Sequence, residues 1–375
     1  MKLLHTADWH LGRTFHGFPL IEEQGALLGQ IVETARAERP DVVVVAGDVY
    51  DRAVPPREAV ELLDSVLTRL VLDVGVPTIL IAGNHDSSER LEFARRFLSR
   101  EGLHVIGEPE PDAEPIVIAG VSIYAIPYAE PALVRHILQT ESIRSREEAM
   151  RALVARVRSR GLGARSILVA HEFVTGGSPS ESERPLSVGT VESISLDVFS
   201  GFDYVALGHL HRPQSLGSSR LRYAGSPFPY SFSEADQEKS ASIVEIGSEG
   251  EVSVREATLR PIRKVRVIRG LFDELLHSAP SDDYILAEML DTRVVYNPYL
   301  RLKERFPNLA DCRYARLERT SPLTGTSPER LRRDRLALFG DFVREVAGRE
   351  LTEKERTIMT EVLEELARTE RQERR

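Results

Sequence analysis

The chain has 375 residues, enough for two or three domains and a sizeable core, and its 42% hydrophobic and 29% charged content excludes a disordered or fibrous protein. No apolar run approaches the ~18 residues of a membrane span, the longest being Val42 to Ala46, and the charges at Lys2 and Asp8 interrupt any signal-peptide apolar region. The net charge of -9 argues at first sight against nucleic acid, but it is unevenly placed. Residues 260–324 carry twelve Lys or Arg against nine Asp or Glu, residues 325–375 twelve against twelve, and residues 1–259 carry 25 against 37. The acidic surplus therefore belongs to the first two-thirds of the chain. A lone cysteine, Cys312, forms no internal disulfide and builds no thiolate metal site, which fits a cytoplasmic protein whose metal ligands, if any, are His, Asp, Glu or Asn.

In chain order, Lys2–Ala7 is an apolar strand-length run closed by Asp8-Trp9-His10. A helical pattern follows over Ile21–Arg39, with Leu27, Leu28, Ile31, Val32 and Ala35 on one face. Asp41–Ala46 is a second strand, ending in Gly47-Asp48-Val49-Tyr50-Asp51, and Arg57–Val71 a second helix. Thr78–Ala82 precedes Gly83-Asn84-His85-Asp86; Ser166–Ala170 precedes His171; Asp203–Leu207 precedes Gly208-His209-Leu210-His211. The continuous apolar runs suit strands buried on both faces, and their alternation with helices predicts an α/β domain. Strand-rich stretches at Ile116–Ile126 and Leu221–Val254 predict a mixed sheet or two stacked sheets flanked by helices.

Near residue 260 the texture changes. Arg260–Arg269 alternates basic and apolar residues and predicts a strand opening a smaller α+β unit over 260–319, with Arg263, Lys264 and Arg266 as candidate contacts to a phosphate backbone. A solvent-exposed edge strand protected by charge explains the same pattern. Residues 320–327 read as a linker, and residues 328–375 as a helical hairpin. Its first helix starts at Ser327-Pro328-Glu329 and stops at Gly348; its second has the capping box Thr352-x-x-Glu355 and an apolar stripe through Ile358, Met359, Val362, Leu363 and Leu366. Such a hairpin either docks a partner or packs on its own domain. No Gly-x-x-x-x-Gly-Lys-[Ser/Thr] loop occurs, so no nucleotide is expected on this chain.

The chemistry lies at the strand ends. In open α/β sheets ligands bind beyond the carboxyl ends of strands, so the five polar segments can converge although about two hundred residues separate them. Asp8, His10, Asp48, Asn84, His171, His209 and His211 are seven oxygen or imidazole donors, too many for one four-coordinate ion and enough for two. Paired divalent ions activate a water and stabilise both oxygens of an in-line phosphoryl displacement. The set suits manganese, iron or zinc better than calcium. The glycines before Asp48, Asn84 and His209 suggest sharp turns. Asp51 and Asp86 are expected to orient a ligand histidine or cap a helix. His5 and His16 are read as structural, and His104, His136 and His277 as ordinary surface or core residues.

These motifs resemble the signature of the calcineurin-like metallophosphoesterases, and Lys2 to Gly12 with Gly47 to Arg52 and Gly83 to Ser87 resembles the SbcD nucleases. The resemblance implies one ion held by Asp8, His10 and His211, another held by Asn84, His171 and His209, and Asp48 as the bridge. It implies that His85 contacts the scissile phosphate or protonates the leaving oxygen. It further implies Mn2+, an SbcC-type coiled-coil ATPase bound through the hairpin, a homodimer through the helices at Arg57–Val71 and Glu89–Arg100, and 3′ to 5′ exonuclease and hairpin endonuclease activity on DNA. By the same resemblance the unit over 260–319 caps the nuclease and touches DNA. A stand-alone small-molecule phosphodiesterase or phosphatase is the alternative. A protein phosphatase is disfavoured because Asp86 stands where those enzymes usually carry Glu, and a scaffold without activity because the donor set is complete.

Overall fold

The computed structural model describes residues 1–183, 193–315, 339–340, 343–344, 349–360 and 362. They fall into two compact units, Met1–Arg313 and Tyr314–Arg375.

The first unit opens with β1 (Lys2–Thr6), a small hairpin of β2 (Thr14–Phe15) and β3 (Phe18–Pro19), and α1 (Ile21–Glu38). Next come β4 (Val42–Ala46), α2 (Arg57–Thr68), β5 (Thr78–Ile81), the short α3 (Ser88–Leu91) and α4 (Arg95–Leu98), and β6 (Leu103–Ile106). A second series follows: β7 (Ile116–Ile118), β8 (Val121–Ile126), α5 (Pro131–Leu138), α6 (Arg146–Ser159), β9 (Ser166–His171), β10 (Tyr204–Gly208), β11 (Gln214–Ser215) and β12 (Leu221–Tyr223). The chain then returns as β13 (Ser240–Ile246) and β14 (Val252–Thr258).

Two six-stranded sheets result, in the orders β14-β13-β1-β4-β5-β6 and β11-β12-β10-β9-β8-β7. Both are mixed: β1, β4, β5 and β6 pair in parallel, as do β8, β9, β10 and β12, while β13, β14, β7 and β11 add antiparallel edges. The sheets stack face to face. In β4, Val42, Val44 and Ala46 pack against Ile167, Val169 and Ala206 of the other sheet, whereas Val43 and Val45 face α1 and α2. All five β4 residues are fully buried, which is why this segment reads as an unbroken apolar run. Burying each of its four valine side chains contributes about 1.5–3 kcal/mol. The outer face of the second sheet is covered by α5 and α6 through Val134, Met150, Leu153 and Val157. The expected α/β architecture with mixed sheets flanked by helices is the observed one.

Boundaries differ where local geometry intervenes. The second helix passes at Arg69–Val74 into a π-helical segment that ends at left-handed Gly75 and turns Leu70 fully into the core. The strand-rich stretch Ile116–Ile126 is a hairpin of β7 and β8, turning where Ala119 and Gly120 both adopt positive φ.

Beyond residue 260 a three-stranded sheet forms from β15 (Val265–Gly270), β16 (Tyr284–Met289) and β17 (Leu309–Tyr314), with α7 (Phe272–His277) crossing between the parallel β15 and β16, and α8 (Pro298–Lys303) before β17. Val265 and Tyr284 join the same core as α1 and Phe228. The basic strand is shorter than its sequence pattern. Residues 261–264 form a turn because Glu23 of α1 accepts Ile262 N–H at 2.9 Å and Arg263 N–H at 3.2 Å.

In the second unit the Thr352 capping box is present: Thr352 N–H donates to Glu355 Oε2 at 2.9 Å and Thr352 Oγ1 accepts Glu355 N–H at 3.3 Å. The expected linker at 320–327, the first-helix start at Ser327-Pro328-Glu329, and Leu363 and Leu366 lie outside the described residues. Among the described residues no helix is long and apolar enough to cross a membrane.

Candidate metal centre

Five strand ends meet at one place. Asp8 and His10 follow β1, Asp48 follows β4, Asn84 and His85 follow β5, His171 closes β9, and His209 and His211 follow β10. Four of these residues leave their strands in a backbone conformation that L-residues seldom adopt: φ is 54° at Asp8, 45° at His10, 48° at Asp48 and 108° at His209. Each costs of order 1–3 kcal/mol and persists because neighbours hold it. Asp8 N–H donates to Gly47 O at 3.0 Å and His10 N–H to Asp48 O at 2.9 Å. Asp8 Oδ1 accepts His209 N–H at 2.9 Å, and Asp48 Oδ1 accepts His85 N–H at 2.9 Å.

The glycines work differently from a simple turn. Gly47 has positive φ, but Gly83 and Gly208 do not. They are required by close approach: a Cβ on Gly83 would lie 2.2 Å from Asp48 Oδ1, and one on Gly208 1.8 Å from Ala46 O.

The rings are aimed by their backbone partners. A carbonyl only accepts, so His171 Nδ1–H donates to Ala46 O at 2.9 Å, and His171 Nε2 faces Asn84 Oδ1 at 3.1 Å and Asp48 Oδ2 at 3.5 Å. His209 Nδ1 lies 3.2 Å from the same Asn84 oxygen. On the other side, His10 Nε2 and His211 Nε2 are 3.0 Å apart, and His10 Nε2 is 3.6 Å from Asp48 Oδ2. Asp8, His10 and His211 form one cluster able to hold a metal ion; Asp8, Asp48 and His171 form another, and His10, Asp51 and His85 a third.

The donor chemistry fits divalent ions. Asp8 Oδ2 is buried with no hydrogen-bond partner, although a carboxylate oxygen in that position demands one. Burial drives His10 and His209 well below the usual histidine range, leaving neutral imidazoles with free lone pairs. Asp48 sits well below the carboxylate range: burial alone would raise it, and His171 overrides that. Burial alone would lower His171, but the charge and hydrogen bond of Asp48, with Asp8 and the Ala46 carbonyl, together push it up to about 9, so the anionic surroundings favour positive charge at this point.

Residues 1–213 match the calcineurin-like phosphoesterase family. Across nearly its whole length the chain is similar to the SbcD component of the SbcCD nuclease of Staphylococcus saprophyticus, with 33% identity over 374 residues covering 97% of this chain and 99% of that one. The chain belongs to the SbcD nuclease family. Partial structural likeness extends to a dimetal phosphatase from Danio rerio (TM-score 0.41, 14% identity, 70% of this chain and 99% of that one) and to TT1561 of Thermus thermophilus (TM-score 0.39, 14% identity, 68% and 98%). As a member of the SbcD family the chain is a metal-dependent phosphodiester hydrolase of the nuclease kind, with a divalent metal site in its cluster of His and Asp residues.

In this SbcD-family site all seven expected donors converge, and His85 stands beside them, its Nδ1–H donating to Asp51 O at 2.8 Å and its Nε2 3.9 Å from Asp48 Oδ2. Asp51 thus orients His85 through its backbone carbonyl; its carboxylate is 3.8 Å from His10 Nδ1, too far for a hydrogen bond. Asp86 neither orients a ring nor caps a helix; Ser87 caps α3. Its carboxylate accepts Gly83 N–H at 2.9 Å, Tyr50 N–H at 2.9 Å and Val49 N–H at 3.1 Å, tying the Asp48 and Asn84 loops together. His5 is structural, bonded to Tyr204 Oη at 2.9 Å and Leu207 O at 3.1 Å.

Arg263, Lys264 and Arg266 stand on the three-stranded sheet and its leading turn. The Arg263 guanidinium donates to Glu22 and Glu23, both at 2.9 Å, so its role is to pin that turn to α1. Arg266 pairs with Asp283 at 3.2 Å while remaining exposed, and Lys264 is exposed.

Several supporting residues carried no sequence signal. Gln24 Nε2 donates to His10 O at 2.7 Å; Tyr230 places its ring against His10 and His211; Arg146 makes a buried pair with Glu172, directly after His171, at 2.6 Å. Ser182, Glu234 and Lys239 stand behind His211. The adjacency of Glu172 to His171 was the one hint available.

Proposed function

We propose that the chain is the nuclease subunit of a complex with an SbcC-type coiled-coil ATPase, a cytoplasmic Mn2+-dependent enzyme that trims DNA ends 3′ to 5′ and opens hairpins. Asp8, His10 and His211 would hold one ion, and Asn84, His171 and His209 the other. The observation that carries the two-ion reading is Asp48 Oδ2, which lies 3.6 Å from His10 Nε2 and 3.5 Å from His171 Nε2, between the two donor groups. When bound, the ions supply an activated water and positive charge at the scissile phosphate. His85, held by the Asp51 carbonyl, presents Nε2 to the same space. There its protonated ring can donate Nε2–H to a phosphate oxygen, or give that proton to the departing sugar oxygen as its bond to phosphorus breaks and the bond from the attacking water oxygen forms.

The partner reading is supported by the name of the Staphylococcus relative and by the absence of a nucleotide loop in the sequence. The C-terminal unit is its docking element. The homodimer reading is supported by exposed apolar side chains at Val60 of α2, and at Phe93 and Phe97 beside and in α4. Lys264 and Arg266 are its DNA contacts outside the metal centre, residues 260–319 acting as the capping unit.

The test compares cleavage of linear duplex, hairpin DNA and a chromogenic phosphodiester with Mn2+, with and without an SbcC-type partner. Cleavage of both DNA substrates, strengthened by the partner, is expected. Turnover of the small ester alone would replace this reading with a small-molecule phosphodiesterase.

A further inference from the structure

His211 is supported unlike its neighbours. His171 and His85 have their Nδ1 atoms held by backbone carbonyls, those of Ala46 and Asp51. Behind His211 stands a line of side chains. Its Nδ1 lies 2.5 Å from Ser182 Oγ, and that hydroxyl donates to Glu234 Oε1. Glu234 Oε1 also accepts from Ser231 Oγ at 2.9 Å, and Glu234 Oε2 accepts from Lys239 Nζ at 2.6 Å. Lys239 Nζ returns to the starting residue, donating to His211 O at 2.7 Å. The line is closed to water: Glu234 is 0% exposed, His211 1%, Lys239 3% and Ser182 8%.

Proton counting gives this line a direction. Serine has one hydroxyl proton, and ionised Glu234 only accepts, so that proton goes to Glu234. Ser182 Oγ then faces the imidazole with a lone pair, and Nδ1 must carry the ring proton. Nε2 is left with its lone pair toward Asp8 and His10. A buried Glu–Lys pair contributes little net stability compared with apolar residues of similar size, so its place behind one ring calls for another account. Carboxylates behind ligand histidines fix tautomer and angle and commonly set metal affinity.

We propose that Ser182, Glu234 and Lys239 form a positioning relay that fixes the tautomer and angle of His211 and thereby sets the affinity of one side of the centre for its divalent ion, independently of the other side. The proposal rests on the reading that Asp8, His10 and His211 hold one of two ions. Lys239 acts at both ends of the relay, balancing the Glu234 charge and anchoring the His211 backbone.

The experiment titrates metal-free, full-length wild type, Ser182→Ala, Ser182→Thr and the double variant Glu234→Gln/Lys239→Met with Mn2+, counting bound ions per chain. Side-chain 15N spectra of histidine, recorded without metal, read the His211 tautomer. Wild type is expected to bind two ions and to show an Nδ1–H tautomer. Ser182→Ala and the double variant are expected to lose ~10–100-fold in affinity for one ion only, with the tautomer signal altered, while Ser182→Thr restores both. Unchanged affinities in Ser182→Ala with a wild-type His211 signal would overturn the relay. So would equal weakening of both ions, since the relay reaches a single ligand. Failure of wild type to bind any Mn2+ would instead overturn the two-ion reading beneath it.

Discussion

Gly208→Ala probes the distance between the two sheets at the point where the donors meet. Gly208 closes β10 and faces β4 of the opposite sheet; an added Cβ would lie 1.8 Å from Ala46 O and 2.9 Å from His171 Nδ1. Its φ is not positive, so steric approach is the only obstacle. Ordinary contact begins near 3.4 Å, and the local gap must widen from 1.8 Å toward that value. Overpacking of this kind costs about 1–3 kcal/mol. The Ala46 carbonyl also accepts the buried His171 Nδ1–H at 2.9 Å, and losing that bond adds about 1 kcal/mol. A total of about 2–4 kcal/mol corresponds to a fall of roughly 3–6 °C in melting temperature for a unit of this size. The functional effect is larger, because His209 and Asp48 are carried apart, and errors near 1 Å cost about 10²-fold in rate. Calorimetry of the metal-free protein and Mn2+-dependent cleavage of linear duplex are the assays. Gly25→Ala is the control: its Cβ would meet only Leu62 Cδ1 at 3.7 Å, and inside α1 it should stabilise by about 0.5–1 kcal/mol. A Gly208→Ala protein that melts and cuts like wild type would refute the reasoning.

His85→Ala should keep both ions but lower DNA cleavage ~10²-fold or more; near-normal turnover with Mn2+ would remove His85 from the chemistry. Burial, with Arg222 adding to it, drives His5 down to about 3, so the folded protein keeps it neutral while the unfolded chain protonates it near 6.5. That contribution is whole above pH 6.5 and fades as pH falls toward 3, by up to about 5 kcal/mol, so His5→Leu should flatten this part of the acid unfolding curve; parallel curves would contradict it. Deleting residues after Ser321 should spare Mn2+-dependent cleavage and abolish co-purification with an SbcC-type partner; a surviving complex would place docking elsewhere. Lys264→Gln with Arg266→Gln should lower the salt dependence of DNA binding, while Arg263→Gln should loosen the turn on α1 and leave that slope unchanged; the reverse pattern would reassign the charges.

The donor set could be read from the chain because strands buried on both faces must be apolar throughout, which confines polar chemistry to their ends. Asp8, Asp48, Asn84, His171 and His209 each follow such a run, and the helices over Ile21–Glu38 and Arg57–Thr68 announce themselves by periodicity. These are local rules, satisfied within a dozen residues. What the sequence pattern misjudged was non-local. Arg263 looks like a free cation in an alternating strand and is bonded to carboxylates some 240 residues earlier. Gly83 and Gly208 look like turn formers and are present because backbone from another strand passes against them. Asp86 looks like a cap and holds two loops together.

Composition and strand-end motifs were thus sufficient for the α/β class and for which polar side chains gather at the strand ends, since both follow from how a buried strand must begin and end, while the phosphoester chemistry drew also on the family resemblance. The face-to-face stacking, the 3.0 Å approach of His10 to His211 across 201 residues and the Ser182–Glu234–Lys239 line required the folded chain. Spacing along a sequence encodes which residues share a strand or a helix face. It does not encode which surfaces meet, and the positioning of His211 depends on three segments that come together only when both sheets have packed.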